Sequence, residues 1–161
     1  MTSRSQRASA IGLLVFLALL YGRFHLGSMV TASSVGTWYQ TLHKAPFTPP
    51  DGFFSPIWVL LYFMMAIAGW RVWTKNSSAT VRYALFLFSV QLALNLGWSV
   101  LFFGYQQVGL ALLEMVVLIF TVILTTLHFW AIDKWAGILF LPYGVWLLFA
   151  VLLNGFIFFM N

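Results

Sequence analysis

The sequence has no cysteine and few charged residues. Without cysteine, the chain can form neither a disulfide nor a thiolate site for catalysis or metal binding. Charged residues make up 7% of the chain, whereas they make up about 25% of an ordinary soluble domain. Hydrophobic residues make up 62%. A soluble domain is therefore excluded, and the sequence predicts an all-α integral membrane protein.

Residues suited to polar catalysis or metal binding are also scarce. The chain has three acidic residues and three histidines, and the histidines lie in separate segments without the spacing of metal ligands. We therefore expect no metal site and no required cofactor. The net charge of +5 comes from basic residues dispersed at predicted helix ends. This is typical of topology determinants in a lipid bilayer, so we expect no nucleic-acid partner.

Long apolar runs occupy most of the sequence and predict a bundle of five membrane-spanning helices. A span needs about 20 predominantly apolar residues. We place the five spans at about residues 8–26, 54–73, 81–103, 108–130 and 135–159, within a single membrane domain of residues 1–161. Because most connections are short, consecutive spans should be antiparallel.

The first span is the weakest, because Arg23 and His25 follow its apolar centre. A signal peptide is the alternative, with residues 11–21 as its apolar region and residues 30–32 as its cleavage site. That site lies rather far from the apolar centre, and cleavage would leave an even number of spans.

The distribution of basic residues predicts the orientation. With five spans, six basic residues fall on the side of the N-terminus and two on the other. The larger group is Arg4, Arg7, Arg71, Lys75, Arg82 and Lys134, and the smaller is Arg23 and Lys44. Basic residues are enriched on the cytoplasmic side. We therefore expect a cytoplasmic N-terminus in a bacterial cell membrane.

A segment rich in proline and aromatic residues, about residues 30–53, separates the first two spans. Each proline fixes φ and removes a backbone donor. We therefore expect no helix before Pro56, which suits the first turn of the second span. The aromatic side chains give this segment more apolar surface than a solvated loop would carry. We predict a folded lid that packs over the mouth of the helix bundle.

Polar and aromatic residues recur at helical spacing on two of the spans. The members are Gln91, Asn95, Trp98 and Phe102 on the third span and Tyr143, Trp146, Ala150 and Asn154 on the fifth. Polar groups at membrane depth are costly unless they pair inside the bundle or form a site. Trp58, Trp98 and Trp146 lie within spans and toward the lid, where they could hold a flat aromatic ligand. Plain core packing is the alternative.

Two further features concern pairing within and between chains. Glu114 on the fourth span should pair with a donor such as Arg23 or the backbone of the lid, because a lone charge at membrane depth is costly. Ala93 and Gly97 on the third span form a small-xxx-small pair that lets another helix approach closely. We therefore predict a homodimer through the third span.

Four segments resemble the family of tryptophan-rich sensory (TspO) and translocator proteins, also called the peripheral benzodiazepine receptor family. They are WYQTLHKAPFTPP at 38–50, SPIWVLLYFMM at 55–65, QLALNLGWSVLFFG at 91–104 and LPYGVWLLFAVLLN at 141–154. Their order and spacing also agree with that family. The resemblance therefore covers most of the chain.

The resemblance implies a five-helix bundle, usually a homodimer, with a cavity beneath the lid. Similar proteins bind protoporphyrin IX and other tetrapyrroles, synthetic isoquinolines and benzodiazepines and, in animals, cholesterol. We therefore expect a membrane receptor for porphyrins. Trp58 and Trp146 match a pair linked in bacterial relatives to light-dependent porphyrin breakdown, and they are the candidate catalytic residues. A transporter of tetrapyrroles or lipids is the alternative.

The helical stripes and the resemblance together give a candidate set of ligand-binding residues. The set is Trp38, Tyr39, Pro50, Trp58, Tyr62, Asn95, Trp98, Phe102, Leu110, Tyr143, Trp146, Ala150 and Asn154. Two positions depart from the family pattern, since Gly52 and Leu110 stand where many relatives have aromatic residues. These departures weigh against tight binding of the synthetic ligands.

Overall fold

Five long helices and one short helix make up the structure. The computed structural model describes residues 3–75 and 77–161, with side chains from residue 9 onward. The helices are α1 (Ser3–Val35), α2 (Trp38–Thr41), α3 (Asp51–Trp73), α4 (Ala79–Ser99), α5 (Val108–Ile132) and α6 (Lys134–Met160). The five long helices are long and apolar enough to cross a membrane. The predicted all-α, five-helix membrane fold is confirmed.

The five long helices pack as a closed ring. Helix α1 contacts α3, α3 contacts α6, α6 contacts α5, α5 contacts α4, and α4 returns to α1. Met65, Ala84 and Phe140 point into this ring and are fully buried. The outer faces carry exposed apolar side chains such as Leu14, Phe120 and Val145, as expected for helices in contact with lipid.

Helix α1 is longer than predicted. We expected the first span to end near residue 26 and the lid to begin near residue 30, whereas α1 continues to Val35. The polar residues beyond Leu26 do not break the helix, because the hydroxyls of Ser28 and Thr31 donate to carbonyls of their own helix at 2.9 and 2.8 Å. The lid is therefore shorter and comprises residues 36–50.

The prediction of no helix before Pro56 was wrong. The lid contains the four-residue helix α2, and α3 begins at Asp51. Pro50 precedes the first turn of α3 and accepts a 2.9 Å hydrogen bond from the Phe53 amide. The Asp51 carboxylate at this helix N-terminus is favourable for the helix dipole. Pro56 lies inside α3, early enough for only one intrahelical bond to be lost.

Helix α4 ends in a π-helical segment, Val100–Gly104, that the sequence did not predict. The Tyr105 amide donates to the Val100 carbonyl at 2.8 Å, which is the five-residue spacing of a π-helix. Gln106 then adopts a φ of 57° as the chain turns into α5. Isolated π-helical turns are frequent at functional sites, and this one places Phe102 and Phe103 beside the lid.

The lid packs on the bundle through aromatic contacts. Tyr39 is buried, and its ring lies 5.7 Å from that of Phe103. Trp38 meets the ring of Phe102 edge-on at 5.6 Å. At the other end of the lid, the His43 amide donates to Asn161 Oδ1 at 2.9 Å and ties the lid to the end of α6.

An ionic cluster joins α3 to the start of α6 at the end of the bundle away from the lid. Asp133 accepts from Arg71 at 3.0 Å and from Lys75 at 2.8 Å, and it caps α6 by accepting from the Ala136 amide at 3.1 Å. Burial alone would raise the pKa of Asp133, but the hydrogen bonds from Lys75, Ala136 and Arg71 lower it to about 2. This carboxylate is therefore ionised at neutral pH.

Candidate ligand-binding cavity

A cavity of about 370 Å³ opens between α1, α3, α6 and the end of α4, beneath the lid. This volume lies in the range of about 300–1,000 Å³ that is common for small-molecule sites. Its lining is mostly apolar and aromatic. The lining residues are Arg23, Phe24, Ser28, Thr31, Ala32, Val35, Tyr39, Asp51, Phe54, Ser55, Trp58, Tyr62, Trp98, Ser99, Phe102, Phe103, Ala150, Leu153, Asn154 and Ile157.

Two stacked aromatic pairs form walls of the cavity. On α3, Trp58 stacks on Tyr62 with ring centroids 5.4 Å apart and 26° between the planes. At the end of α4, Trp98 stacks on Phe102 at 5.1 Å and 22°. The members of each pair lie four residues apart in the sequence. Trp58 and Tyr62 share one face of an α-helix, whereas Phe102 lies in the π segment that follows Trp98. Together they offer flat apolar faces from two sides of one space.

A smaller cavity of about 40 Å³ adjoins the first and shares Phe54, Trp58, Trp98 and Ala150 with it. Trp146 lines this smaller cavity, and its ring meets Trp58 edge-on at 6.5 Å. Trp146 therefore lines only the smaller cavity, and its indole is close to that of Trp58.

Asn95 is the centre of a buried polar cluster beneath the cavity. Its Oδ1 accepts from the hydroxyl of Tyr62 at 2.6 Å and from the guanidinium of Arg23, and its Nδ2 donates to the Tyr143 hydroxyl at 2.9 Å. These bonds link α1, α3, α4 and α6. The cluster closes the cavity on the side away from the lid and satisfies polar groups that would be costly at membrane depth.

Trp98 is fixed by a second polar contact. Its indole Nε1 donates to Asn154 Oδ1 at 3.0 Å, and Asn154 Nδ2 donates to the Val108 carbonyl at 3.1 Å. Asn154 is 2% exposed. This relay joins α4, α5 and α6 and holds the Trp98 ring in its stacked position.

The mouth of the cavity is formed by the lid and the start of α3. Burial, and to a lesser degree the nearby Asp51, raises the pKa of Tyr39 to about 12, so its phenol is neutral at physiological pH. Lys44 Nζ lies 4.2 Å from the centroid of the Tyr39 ring, and Asp51 Oδ2 accepts from Gln40 at 2.7 Å. These contacts hold the lid over the cavity.

The structure brings most of the predicted ligand-binding residues to the two cavities. The predicted residues that line the main cavity are Tyr39, Trp58, Tyr62, Trp98, Phe102, Ala150 and Asn154. Asn95 and Trp146 line the smaller cavity alone.

Four predicted residues line neither cavity. Trp38 packs behind Phe102, and Tyr143 is buried below with its hydroxyl on Asn95. Pro50 is exposed, and Leu110 is 54% exposed on the outer face of α5. Leu110 points outward because the next residue, Ala111, lies on the face of α5 that packs on the bundle.

Sequence reasoning missed the wall that α1 contributes. Phe24, Ser28, Thr31 and Val35 line the cavity and follow at spacings of four, three and four, so they share one helix face. The signal is present in the sequence, but a first span that ends at residue 26 leaves it out. Arg23, expected beyond the apolar centre, lies within the span of α1.

The predicted pairing of Glu114 with Arg23 or the lid was wrong. Both carboxylate oxygens of Glu114 are buried without a hydrogen-bond partner among the described residues. Oε1 lies 3.5 Å from the position that a Cβ on Gly97 would take, so the carboxylate faces α4. Arg23 is on a different helix and is engaged with Asn95. Separate positions around the ring keep the two charges apart.

Comparison with known proteins gives one family. The sequence pattern of the TspO/MBR family matches residues 13–160. The tryptophan-rich protein TspO of Archaeoglobus fulgidus is 42% identical over 84% of this chain and 87% of its own length. The tryptophan-rich sensory protein of Cereibacter sphaeroides is 38% identical over 73% of this chain and 72% of its own length. The translocator protein of Bos taurus is 34% identical over 80% of this chain and 78% of its own length.

Proposed function

The chain belongs to the TspO/MBR family, and we propose that it is a membrane receptor that binds porphyrins in the cavity under the lid. The ligands that we propose are protoporphyrin IX and haem-related tetrapyrroles. The observation that carries this proposal is the pair of aromatic stacks, Trp58 on Tyr62 and Trp98 on Phe102, which flank one apolar cavity. The name of the relative from Cereibacter sphaeroides, a sensory protein, fits a receptor.

A flat macrocycle suits this cavity on energetic grounds. Burial of apolar surface contributes roughly 25 cal/mol per Å², and stacking of aromatic faces adds about 0.5–1.5 kcal/mol per pair. The polar cluster around Asn95 lies below the aromatic walls, so polar substituents of the ligand can find hydrogen-bond partners there. Lid residue Tyr39 lines the other end of the cavity and would limit access from the mouth.

Light-dependent breakdown of the bound porphyrin is an additional activity that this site supports. Trp58 lines the main cavity, and its ring centroid lies 6.5 Å from that of Trp146. In the net reaction the macrocycle is oxidised and dissolved oxygen is reduced. Indoles can lose one electron and regain it, so the pair could reduce the light-excited ligand, which passes that electron to oxygen. The macrocycle would then return an electron to the indole radical and is itself the species that is oxidised. The photochemistry would be that of the ligand, and the protein would supply position and the electron donor.

Transport of tetrapyrroles or lipids is the alternative function, which the name of the translocator protein of Bos taurus favours. The cavity opens toward the lid, but the Asn95 cluster with Tyr62, Tyr143 and Arg23 fills the bundle below it. Passage through the bundle would require this cluster to separate. Binding from one side needs no such step, so we prefer the receptor.

Surface features support a proposal for the orientation and the assembly. Arg71, Lys75 and the start of α6 lie at the end of the bundle away from the lid, and we place this end and the N-terminus in the cytoplasm of a bacterial cell, because basic residues favour that side. Ala93 is exposed on α4, with Gly97 half-buried beside it. We assign this face to a homodimer, since small residues permit close helix contact.

Titration of detergent-purified protein with protoporphyrin IX in the dark tests the receptor function. Trp58 and Trp98 lie in the cavity wall, so binding should quench intrinsic tryptophan fluorescence saturably. Linear quenching without saturation at all accessible concentrations would remove the basis for a porphyrin receptor. Displacement of bound porphyrin by lipids would favour the transporter.

A further inference from the structure

Arg23 places a positive charge in the wall of the cavity at membrane depth. It lies within the span of α1, and a rise of about 1.5 Å per residue puts it about 18 Å along the helix from the end at Val35. A guanidinium is always charged in proteins. Such a charge inside a membrane is costly, and arginines in spans therefore pair with other groups or mark a ligand pathway.

No carboxylate neutralises Arg23 among the residues that the structure describes. Asp133 is bound to Arg71 and Lys75 at the end of the bundle away from the lid. Asp51 accepts from Gln40 at the mouth of the cavity. Glu114 is the third acidic residue of the chain, and its buried oxygens face α4 without a partner. The guanidinium is thus left with neutral neighbours.

These neutral neighbours engage one edge of the guanidinium. Nη2 donates to the Asn95 carbonyl at 2.7 Å and to Asn95 Oδ1, and the Tyr62 ring lies 5.3 Å from Cζ. Nε is buried and has no partner in the described part of the chain. Within those same residues, Nη1 makes no hydrogen bond, and it lies where the Cβ of any residue larger than Gly27 would collide with it.

Nη1 is the donor of Arg23 that is left for a ligand, because Nη2 is occupied by Asn95 and Nε is buried. It can donate to a carboxylate oxygen, and such charge-assisted bonds are about twice as strong as neutral ones. The charged residues that line the cavity are Arg23 in its depth and Asp51 at its mouth. This polarity favours an anionic ligand group that enters first and points away from the lid.

We propose that Arg23 binds a carboxylate of the cavity ligand, so that the site selects flat aromatic carboxylic acids over their neutral analogues. This inference rests on the proposed porphyrin-binding function and defines the ligand class more narrowly. The aromatic walls contribute affinity for the ring system. Arg23 contributes the preference for the acid and orients the ligand with its carboxylate toward Asn95.

The test compares protoporphyrin IX with its dimethyl ester, in which both carboxylates are blocked. Both ligands are titrated in the dark against the wild type, Arg23→Gln and Arg23→Met. A charge-assisted contact corresponds to about 10- to 100-fold in Kd. The wild type should prefer the diacid by about this factor, and both variants should bind the two ligands nearly equally. Ester binding by the variants shows that they are folded.

Arg82→Gln is the matched control, because Arg82 is exposed and donates to the Ser77 carbonyl far from the cavity. It should keep the wild-type preference. Equal binding of diacid and ester by the wild type, or an undiminished preference in Arg23→Gln and Arg23→Met, overturns the role of Arg23 while leaving a porphyrin site intact. Binding of neither ligand by the wild type overturns the porphyrin receptor itself.

A charge-conserving variant covers the case in which both removal variants fail to fold. Arg23→Lys keeps the positive charge but replaces the planar guanidinium with a compact ammonium. The preference for the diacid should then fall several-fold without disappearing, while ester binding is unchanged. An unaltered preference in Arg23→Lys would contradict recognition of the carboxylate by the guanidinium.

Discussion

The indole of Trp98 donates to Asn154 Oδ1 at 3.0 Å and thereby joins α4 to α6 beside the cavity. Asn154 Nδ2 in turn donates to the Val108 carbonyl on α5 at 3.1 Å. One buried amide thus fixes both an aromatic wall and the contact of three helices. Removal of either partner should affect stability and ligand binding together.

Asn154→Leu tests this relay. The substitution removes the acceptor for Trp98 and the donor for Val108, and hydrogen bonds between membrane helices are worth about 0.6 kcal/mol each. We expect a loss of about 1 kcal/mol in stability and weaker porphyrin binding. Thermal unfolding and titration of Asn154→Leu, Trp98→Phe and the double variant provide the check. Additive losses would show that the two residues act independently.

Trp146→Phe separates binding from photochemistry. Trp146 lines the smaller cavity and not the main one, so porphyrin affinity in the dark should be almost unchanged. Light-dependent loss of the porphyrin absorption band should stop if Trp146 donates an electron through Trp58. Trp135→Phe is the control, because Trp135 is 63% exposed at the start of α6. Equal bleaching rates in both variants would exclude a role for Trp146.

The Asp133 cluster predicts how stability depends on pH. The pKa of Asp133 is lowered from 3.8 to about 2 in the folded chain, so its ionisation stabilises the fold above pH 3.8, and this contribution is lost as the pH falls toward 2. Because Arg71 and Lys75 are partly exposed, solvent screening limits the effect to about 1 kcal/mol.

Asp133→Asn keeps a helix-capping side chain and removes the charge. Its melting temperature should be about 2–4 °C lower at pH 7 and should change less than that of the wild type between pH 4 and pH 2. Melting curves of both proteins in detergent measure this. Parallel pH profiles would mean that Asp133 does not carry the effect.

The absence of cysteine makes the predicted dimer easy to test. Ala93→Cys introduces a single thiol on the exposed face of α4, and Val145→Cys introduces one on α6, where Val145 is 68% exposed. Mild oxidation in membranes should cross-link Ala93→Cys into a dimer and leave Val145→Cys monomeric. Cross-linking of Val145→Cys alone would place the interface on α6.

Periodicity on α4 and α6 predicted much of the cavity wall. Trp98 and Phe102 lie four residues apart and stack, and Ala150 and Asn154 share the same inward face of α6. For Ala150 and Asn154, the spacing of an α-helix determines this relationship before any tertiary contact forms. Phe102 stacks on Trp98 from within the π segment. The ends of the second to fifth spans were likewise predictable, because hydrocarbon thickness fixes the length of a span.

Features that depend on contacts between helices were not predictable. Serine and threonine residues allow α1 to continue to Val35, but in the sequence they look like any polar residues of a loop. The π segment at Val100–Gly104 departs from α-helical spacing, and no residue pattern in the sequence indicates it. Arg23 could have paired with Glu114 by composition alone, but the order of helices around the ring puts Asn95 beside it instead. That order follows from packing of whole helices.

Filling the cavity tests the porphyrin receptor most directly. Ala150 lines both cavities, so Ala150→Trp should occupy the space between Trp58 and Trp98. Leu152→Trp adds the same side chain on the same helix at a position that is 62% exposed. Binding is followed in the dark by the shift of the protoporphyrin IX absorption band. We expect saturable binding to the wild type and Leu152→Trp and at least a roughly tenfold loss in Ala150→Trp, whereas equal affinity in all three proteins would place the ligand outside this cavity.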